Sequence, residues 1–373
     1  MKVTSNSGRL SRCALFLSAS LLATASTLAS AQEVPDAPPA GEGAEGIQDI
    51  VVTARKRVEK LQDVPVSITA ISAEQVTKYN LTSLERVAAT SPQFTIGRSP
   101  SGSGATMVMP GIGSNATSIG IEQSVAVVVD GVYYGQGRVI NEGFFDLGGI
   151  EIMKGPQALF FGKNATAGLL SISTADPGSK PEYIAKAGYE FNSQDLVGEI
   201  VASGPVTDTL GIRVALRGSK MFGGYFDNVS FPQTYVTRDQ VTGITTTHNE
   251  PVGGPDAPGT KELLGRITIK WEPTDRLDAR FKLSGTDNRT SPAGWNLVRI
   301  RCLGPNTQRN PAIPCARKFV IHQNKVPSDI AATLPIGDGS GKSFARYKSW
   351  ATTAEFNYKL DDITITSVSN YNW

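Results

Sequence analysis

Residues 150–177 read IEIMKGPQALFFGKNATAGLLSISTADP, and the fold is decided by how that stretch is taken. It opens on an alternating strand, Ile150, Glu151, Ile152, Met153. It breaks at Lys154, Gly155 and Pro156, where glycine freedom and a fixed proline φ force a turn. A run of small residues from Gly162 through Asn164 to Gly168 follows, and a second strand over 169–174 closes the unit. Small residues at that density let one backbone lie close to another. Taken by itself, this is a folding feature.

The wording carries more. The stretch resembles the end of the plug domain of TonB-dependent outer-membrane receptors, whose usual form reads approximately EVLRGPQGTLFGRNATGGAINIVTKKP. Asp130, Gly131, Glu151, Lys154, Gly155, Pro156, Gln157, Gly162, Asn164 and Gly168 form the matching signature. Lys154 stands for the usual arginine, Ala158 and Ala167 for glycines, and Ser171 for an asparagine. Lys154 keeps the charge but loses the bidentate fork, which bears on plug packing and on its grip on the barrel wall. The resemblance implies an α+β plug followed by an antiparallel transmembrane β-barrel.

The rest of the chain fits export. At 373 residues, 40% hydrophobic and 19% charged, it is long enough for two domains or more and has no long apolar span. Residues 1–31 read as a cleaved signal peptide: Lys2, Arg9 and Arg12 lead, a 17-residue core rich in Ala, Leu and Ser follows, and Ala29, Ser30, Ala31 form the cleavage site. The core is shorter than the ~20 apolar residues a helical span needs. The formal charge of +2 falls to −1 once that leader leaves, so no nucleic-acid partner is expected. Cys302 and Cys315 remain; in an exported chain such a pair reads as a disulfide. A metal pair is the rival, with only His322 nearby.

Residues 32–48, rich in Pro, Gly, Ala and Glu, read as a flexible tether. The box region, 49–57, begins with Asp49, Ile50, Val51, Val52, Thr53 and Ala54. Alone it would be an ordinary first strand. Its place before the plug resembles the TonB box, which implies an extended peptide that joins the sheet edge of a TonB-type energising protein. No room remains between leader and box for an extra signalling domain.

Residues 58–178 are expected to be the plug. A strand over 64–71 comes first, then two short helices with capping boxes at Ser72 to Gln75 and Thr82 to Glu85, the second ending before Pro92. Strands over 94–96, 107–109 and 124–129 alternate with glycine-rich loops, and the plug apices are expected in 98–105, 114–123 and 134–142. Two motifs fail on inspection. Gly111 to Ala116 spells a dinucleotide fingerprint without the amphipathic helix, and Gly337 to Ser343 is one residue short of a phosphate loop. No catalytic, cofactor or metal constellation is found, and an enzyme is not expected.

From 183 to 373 the pattern has period two. Leu210, Ile212, Val214 and Leu216 face away from Arg213, Ala215 and Arg217; Leu277, Ala279, Phe281 and Leu283 oppose Asp278, Arg280, Lys282 and Ser284. A soluble sandwich with one wet face would alternate in the same way. Tight turns at 206–209, 272–275 and 361–362 alternate with long polar segments near 222–260 and 288–345, which is the parity of an outer-membrane barrel. Trp271, Trp350, Tyr358, Tyr371 and Trp373 suit the membrane interfaces. Strands starting near 183, 195, 210, 261, 276, 346 and 362 make about seven, against about 22 in a plugged transporter barrel. The expectation is the N-terminal portion of such a receptor, as a fragment or a truncated product.

The resemblance implies an outer-membrane receptor that takes up a scarce small ligand, such as a ferric siderophore, by energised movement of the plug. Outer-membrane lipid and the energising protein are the implied partners. A non-transporting remnant is one alternative, and a passive porin is the other.

Overall fold

The computed structural model describes residues 51–52, 59–98, 104–114, 122–135, 144–254, 256–291, 305–306, 320–321, 323–335 and 337–373. The leader, the tether, Asp49, Ile50, Thr53, Ala54, Cys302 and Cys315 lie outside them, as do most of the three expected apices.

The chain enters on β1 (Val51–Val52), which pairs antiparallel with β2 (Glu59–Lys60) ahead of a 3-10 turn at Leu61–Asp63. The strand expected from residue 64 starts later, as β3 (Ile68–Ser72). Pro65 has no N–H for a ladder, which accounts for the delay. Helix α1 (Ala73–Lys78) has the expected capping box: Ser72 Oγ accepts from the Gln75 amide, and the Gln75 side chain accepts from the Ser72 amide. Helix α2 (Leu84–Thr90) begins one residue later than expected. Its cap is Ser83, whose hydroxyl accepts from the Arg86 amide, and Thr82 lies outside. Arg86 then occupies the third helical position, so no reciprocal Glu/Gln bond completes a box.

Strands β4 (Thr95–Arg98), β5 (Ala105–Met109) and β6 (Ile112–Gly113) form a small antiparallel sheet. Next come β7 (Val125–Val129), β8 (Val132–Tyr134), β9 (Leu147–Lys154), a short helix α3 (Ala158–Phe161) that the sequence reading did not anticipate, and β10 (Gly168–Thr174). The main sheet of this domain has the order β3-β9-β10-β7-β8, with β7 and β10 parallel. Both faces are covered, which is why β7 is almost wholly apolar rather than alternating. One face packs Ile150, Ile152, Leu170 and Ile172 against Leu84, Val87, Phe94 and Met107; the other packs Ala126, Val128, Met153 and Leu169 around Ala165. Gly155 turns the chain at φ +84°. At Gly168 a Cβ would lie 2.1 Å from Met109 Sδ and 2.6 Å from the Met153 carbonyl oxygen, so close backbone approach does require glycine there.

The second sheet is antiparallel throughout. It is built from β11 (Glu182–Glu190), β12 (Asp195–Thr207) and β13 (Leu210–Met221), then β18 (Gly259–Thr274), β19 (Leu277–Ser291), β21 (Ala345–Leu360) and β22 (Ile363–Asn372), in that spatial order. The connection after β13 holds β14 (Phe226–Asn228), a hairpin of β15 (Gln233–Arg238) and β16 (Thr245–Glu250), and β17 (Asp256–Ala257). The connection after β19 holds β20 (Val320–Ile321) and a helical turn α4 (Ser328–Ala331).

Polarity in this sheet runs opposite to that of a soluble protein. Leu196, Ile200, Leu216, Leu263, Ile267, Phe281, Leu283 and Phe356 are exposed on one face, Ile200 at 63% and Leu283 at 49%. The other face carries Glu199, Arg213 and Lys282, all buried. Among the described residues no helix is long and apolar enough to cross a membrane.

Candidate functional site: the contact between the α+β domain and the long-stranded sheet

Two aspartates at turn positions of the α+β domain make the junction. Asp130 follows β7 at φ +48° and Asp146 precedes β9 at φ +53°. Aspartate tolerates this left-handed conformation better than bulkier residues do. Each carboxylate is thereby aimed at the charged face of the second sheet.

Asp130 accepts from the Thr174 amide at 2.9 Å and from the Thr174 hydroxyl at 2.8 Å. Lys282 of β19 donates to Thr174 Oγ1 at 2.8 Å, lies 3.0 Å from Asp130 Oδ1 and 3.3 Å from Asp176 Oδ1. Arg280, two residues back on the same face, reaches Asp176 at 2.9 Å, Glu355 at 3.0 Å and Asp278 at 3.2 Å. Burial pushes the Asp130 carboxyl up, but the Lys282 ammonium, the Arg266 guanidinium and the two Thr174 donors outweigh it and hold it below the usual carboxylate value.

The Asp146 contact is bidentate. Arg213 of β13 donates from Nε at 2.9 Å and from a terminal nitrogen at 2.5 Å. Its other terminal nitrogen donates to Glu182, the first residue of β11, at 2.6 Å. One guanidinium thus ties the α+β domain and the start of the second sheet together. Arg266 of β18 donates to the carbonyls of Phe145 and Asp146, and its guanidinium lies 4.9 Å from the Phe145 ring centre. Phe145 is itself buried against Val201, Ala215 and Leu264. The Arg213–Asp146 pair beside this apolar pin is nearly dry, which makes it costly to break, while Glu182 stays half exposed.

Of the sequence signature, Asp130 lies in this junction, and a Cβ at Gly131 would meet the Val368 side chain of β22 at 3.5 Å. Glu151 sits within β9, opposite Ser171 and Ala70. Lys154 ends β9, its amide bonded to Ser67; Pro156 sits in the exposed turn; Gln157 is buried with its amide bonded to Ala165. Gly162 and Asn164 take left-handed φ values, and the Asn164 amide donates to the Tyr133 hydroxyl at 2.7 Å and to Glu122. Contacts to the charged face of the second sheet are made by Asp130, Asp146, Thr174 and Asp176. Sequence reasoning missed Asp146 and Asp176; Asp176 stands directly before Pro177, a visible turn signal, whereas Asp146 lies between Phe145 and Leu147 with no such mark. Val51 and Val52, expected as an unpaired extended peptide, pair with Lys60 and Glu59 of their own chain.

Residues 60–169 match the family model described as the TonB-dependent receptor plug domain. The pesticin receptor of Yersinia pestis is 25% identical over 260 residues, covering 68% of this chain and 35% of that protein. The Yersinia enterocolitica pesticin receptor is 25% identical over 243 residues, 64% of this chain and 32% of the relative. The chain thus spans about a third of the length of the curated relatives it matches. Among solved structures, the ferric yersiniabactin uptake receptor of Yersinia pestis aligns at a TM-score of 0.57 and 20% identity over 82% of this chain and 40% of that one. The Pseudomonas aeruginosa FpvA receptor bound to pyoverdines aligns at 0.62 and 11% identity over 86% and 36%. At such identities these structures speak to the fold alone.

Proposed function

This chain belongs to the TonB-dependent receptors through the plug domain it carries, and from that premise we propose that it works in the outer membrane as the plug-bearing part of a receptor for a ferric siderophore. The family consists of receptors rather than enzymes. The observation that carries the reading is the pairing of an apolar exposed face with a charged buried one, and the seating of the plug on the latter through Asp130 and Asp146. Lipid covers the apolar face. Long connections face outward and tight turns face the periplasm. The names of the relatives, an uptake receptor for ferric yersiniabactin and a receptor bound to pyoverdines, point to the ligand class.

In this reading the box at Asp49 to Ala54 engages a TonB-type protein by strand addition. Engagement requires β1 to leave β2, a ladder only two residues long and therefore cheap to open. Pulling then displaces plug segments, while the ion pairs around Lys282 and Arg213 resist.

The test is uptake of radiolabelled iron, supplied as ferric yersiniabactin and as ferric pyoverdine, by cells expressing the protein with and without residues 49–54. Uptake of at least one complex that is lost on deletion and on collapse of the proton gradient is the expected result. Uptake that survives both treatments would overturn the energised mechanism and favour passive diffusion.

A further inference from the structure

Two separate connections of the second sheet are built into each other. Asp227 and Asn228 of β14 lie parallel to Val320 and Ile321 of β20, although one strand follows β13 and the other follows β19. Val252 lies opposite Asn324. Across this seam the amide of Val229 donates to Ile321 at 2.9 Å, that of Gly253 to Gln323 at 2.9 Å, and that of Lys325 to Pro251 at 2.7 Å. Asn228 is the hub. Its side-chain amide donates to the Gly254 carbonyl at 2.6 Å and the Gln323 carbonyl at 2.9 Å, and its oxygen accepts from the Gln323 amide at 3.0 Å.

A second contact joins the same two connections elsewhere. His248 of β16 is buried, stacked on Tyr235 with ring centres 5.0 Å apart. Its Nδ1 donates to Asp329 Oδ2 of α4 at 2.7 Å, and the Thr237 hydroxyl lies 2.7 Å from Nε2. The β15–β16 hairpin forms a two-stranded sheet of its own. Such a hairpin is marginal in water without further packing, so the partner it finds on α4 is what orders it.

We propose that the described segments of the two connections, 226–254 on one side and 320–321 with 323–331 on the other, form a single cooperative unit, in which Asn228 and the His248–Asp329 pair are positioning residues and neither side opens without the other. That the unit stands on the outer side of a membrane rests on the proposed function; the cooperativity does not. Contiguous units of this kind open with one shared free energy, whereas independent loops open separately.

Hydrogen–deuterium exchange on the purified full-length protein in detergent reads this directly, through peptides covering 226–230, 245–254 and 323–326. Asp329→Ala should raise exchange by about the same factor in all three peptides, at least tenfold, including 226–230, which Asp329 does not touch. Asn228→Ala should do the same to the hairpin strand 245–250, which Asn228 does not touch. Exchange that rises only beside the substituted residue, with the remote peptide within twofold of wild type, overturns the proposal. Peptides from β12 and β13 report whether the whole protein has been lost. If either variant disturbs them, a Val252→Cys, Asn324→Cys pair decides. These residues face each other across a non-hydrogen-bonded position, where Cα atoms are about 4.5 Å apart and a disulfide fits. The oxidised form should slow exchange in all three peptides relative to the reduced form; slowing confined to the 245–254 and 323–326 peptides overturns the proposal. No ligand is needed, so this outcome is independent of the uptake experiment.

Discussion

Lys282 donates to Thr174 across the junction, 108 residues away in sequence and 2.8 Å away in space. Its ammonium also sits between the carboxylates of Asp130 and Asp176. A lysine with 8% of its surface exposed is sustainable only with such partners. Replacing Lys282 with Met keeps the length of the side chain and removes the charge, leaving two carboxylates under-compensated. Removing one partner of a buried pair costs about 3–5 kcal/mol. Lys282→Met should therefore lower the urea midpoint of plug release, read by protease sensitivity of 59–174. Adding Asp130→Asn to Lys282→Met should restore part of the loss. A double variant as weak as the sum of the singles would show that the two groups are not coupled.

Acid should loosen the same junction. The Asp130 carboxyl is held below its ordinary value in the folded protein, net of a burial effect that opposes this. A group depressed on folding stabilises above its unfolded pKa, about 3.9 for aspartate. That stabilisation is lost as pH falls through the folded value. Protease resistance of the plug should be level from pH 7 to about 5 and then fall below about pH 4. Asp130→Asn should be weaker at pH 7 and flatter across the acid range. An Asn variant with the wild-type acid slope would place the titration elsewhere.

The helix caps distinguish two adjacent residues. Ser83, not Thr82, accepts from the first turn of α2. Loss of an N-cap hydroxyl costs about 0.5–2 kcal/mol. Ser83→Ala should lower the plug's melting temperature measurably and Thr82→Ala should not. Ser72→Ala should cost at least as much as Ser83→Ala, since the Ser72 cap is reciprocal with Gln75. Equal losses at Thr82 and Ser83 would put the cap back where the sequence pattern had suggested.

That one-residue shift shows where the sequence stops being legible. A capping pattern is local, but Thr82 and Ser83 offer the same chemistry in neighbouring positions, and packing of Leu84 into the core chooses between them. The alternation of Phe281, Lys282 and Leu283 was equally local and decides each residue's face in the second sheet. The clasp between Arg213 and Asp146 spans 67 residues, and no pattern within either segment announces the other. The pairing of Val51 and Val52 with residues nine and seven positions on is nearer, yet a β-branched run looks the same whether its edge is free or taken. Likewise the polar segments after β13 and β19 read as simple loops. Their mutual ladder depends on two strands of only two or three residues, too short to carry a period.

The faces of the second sheet provide the last prediction, from two consecutive residues. Leu283 is exposed and lies level with Ile267 and Thr352 on its neighbours; Ser284 points to the opposite face, level with Arg266. If lipid covers the first face, Leu283→Arg places a charge in hydrocarbon, at about 2–4 kcal/mol near the midplane. Ser284→Glu places a charge opposite a guanidinium and should be tolerated. Urea titration of folding into phosphatidylcholine vesicles compares the two, with Leu283→Arg expected to shift the midpoint strongly and Ser284→Glu hardly at all. In a water-soluble sandwich the order would reverse, because an arginine on a wet face is harmless and a carboxylate forced into a dry one is not. The sign of the difference therefore tests the membrane assignment without any knowledge of ligand.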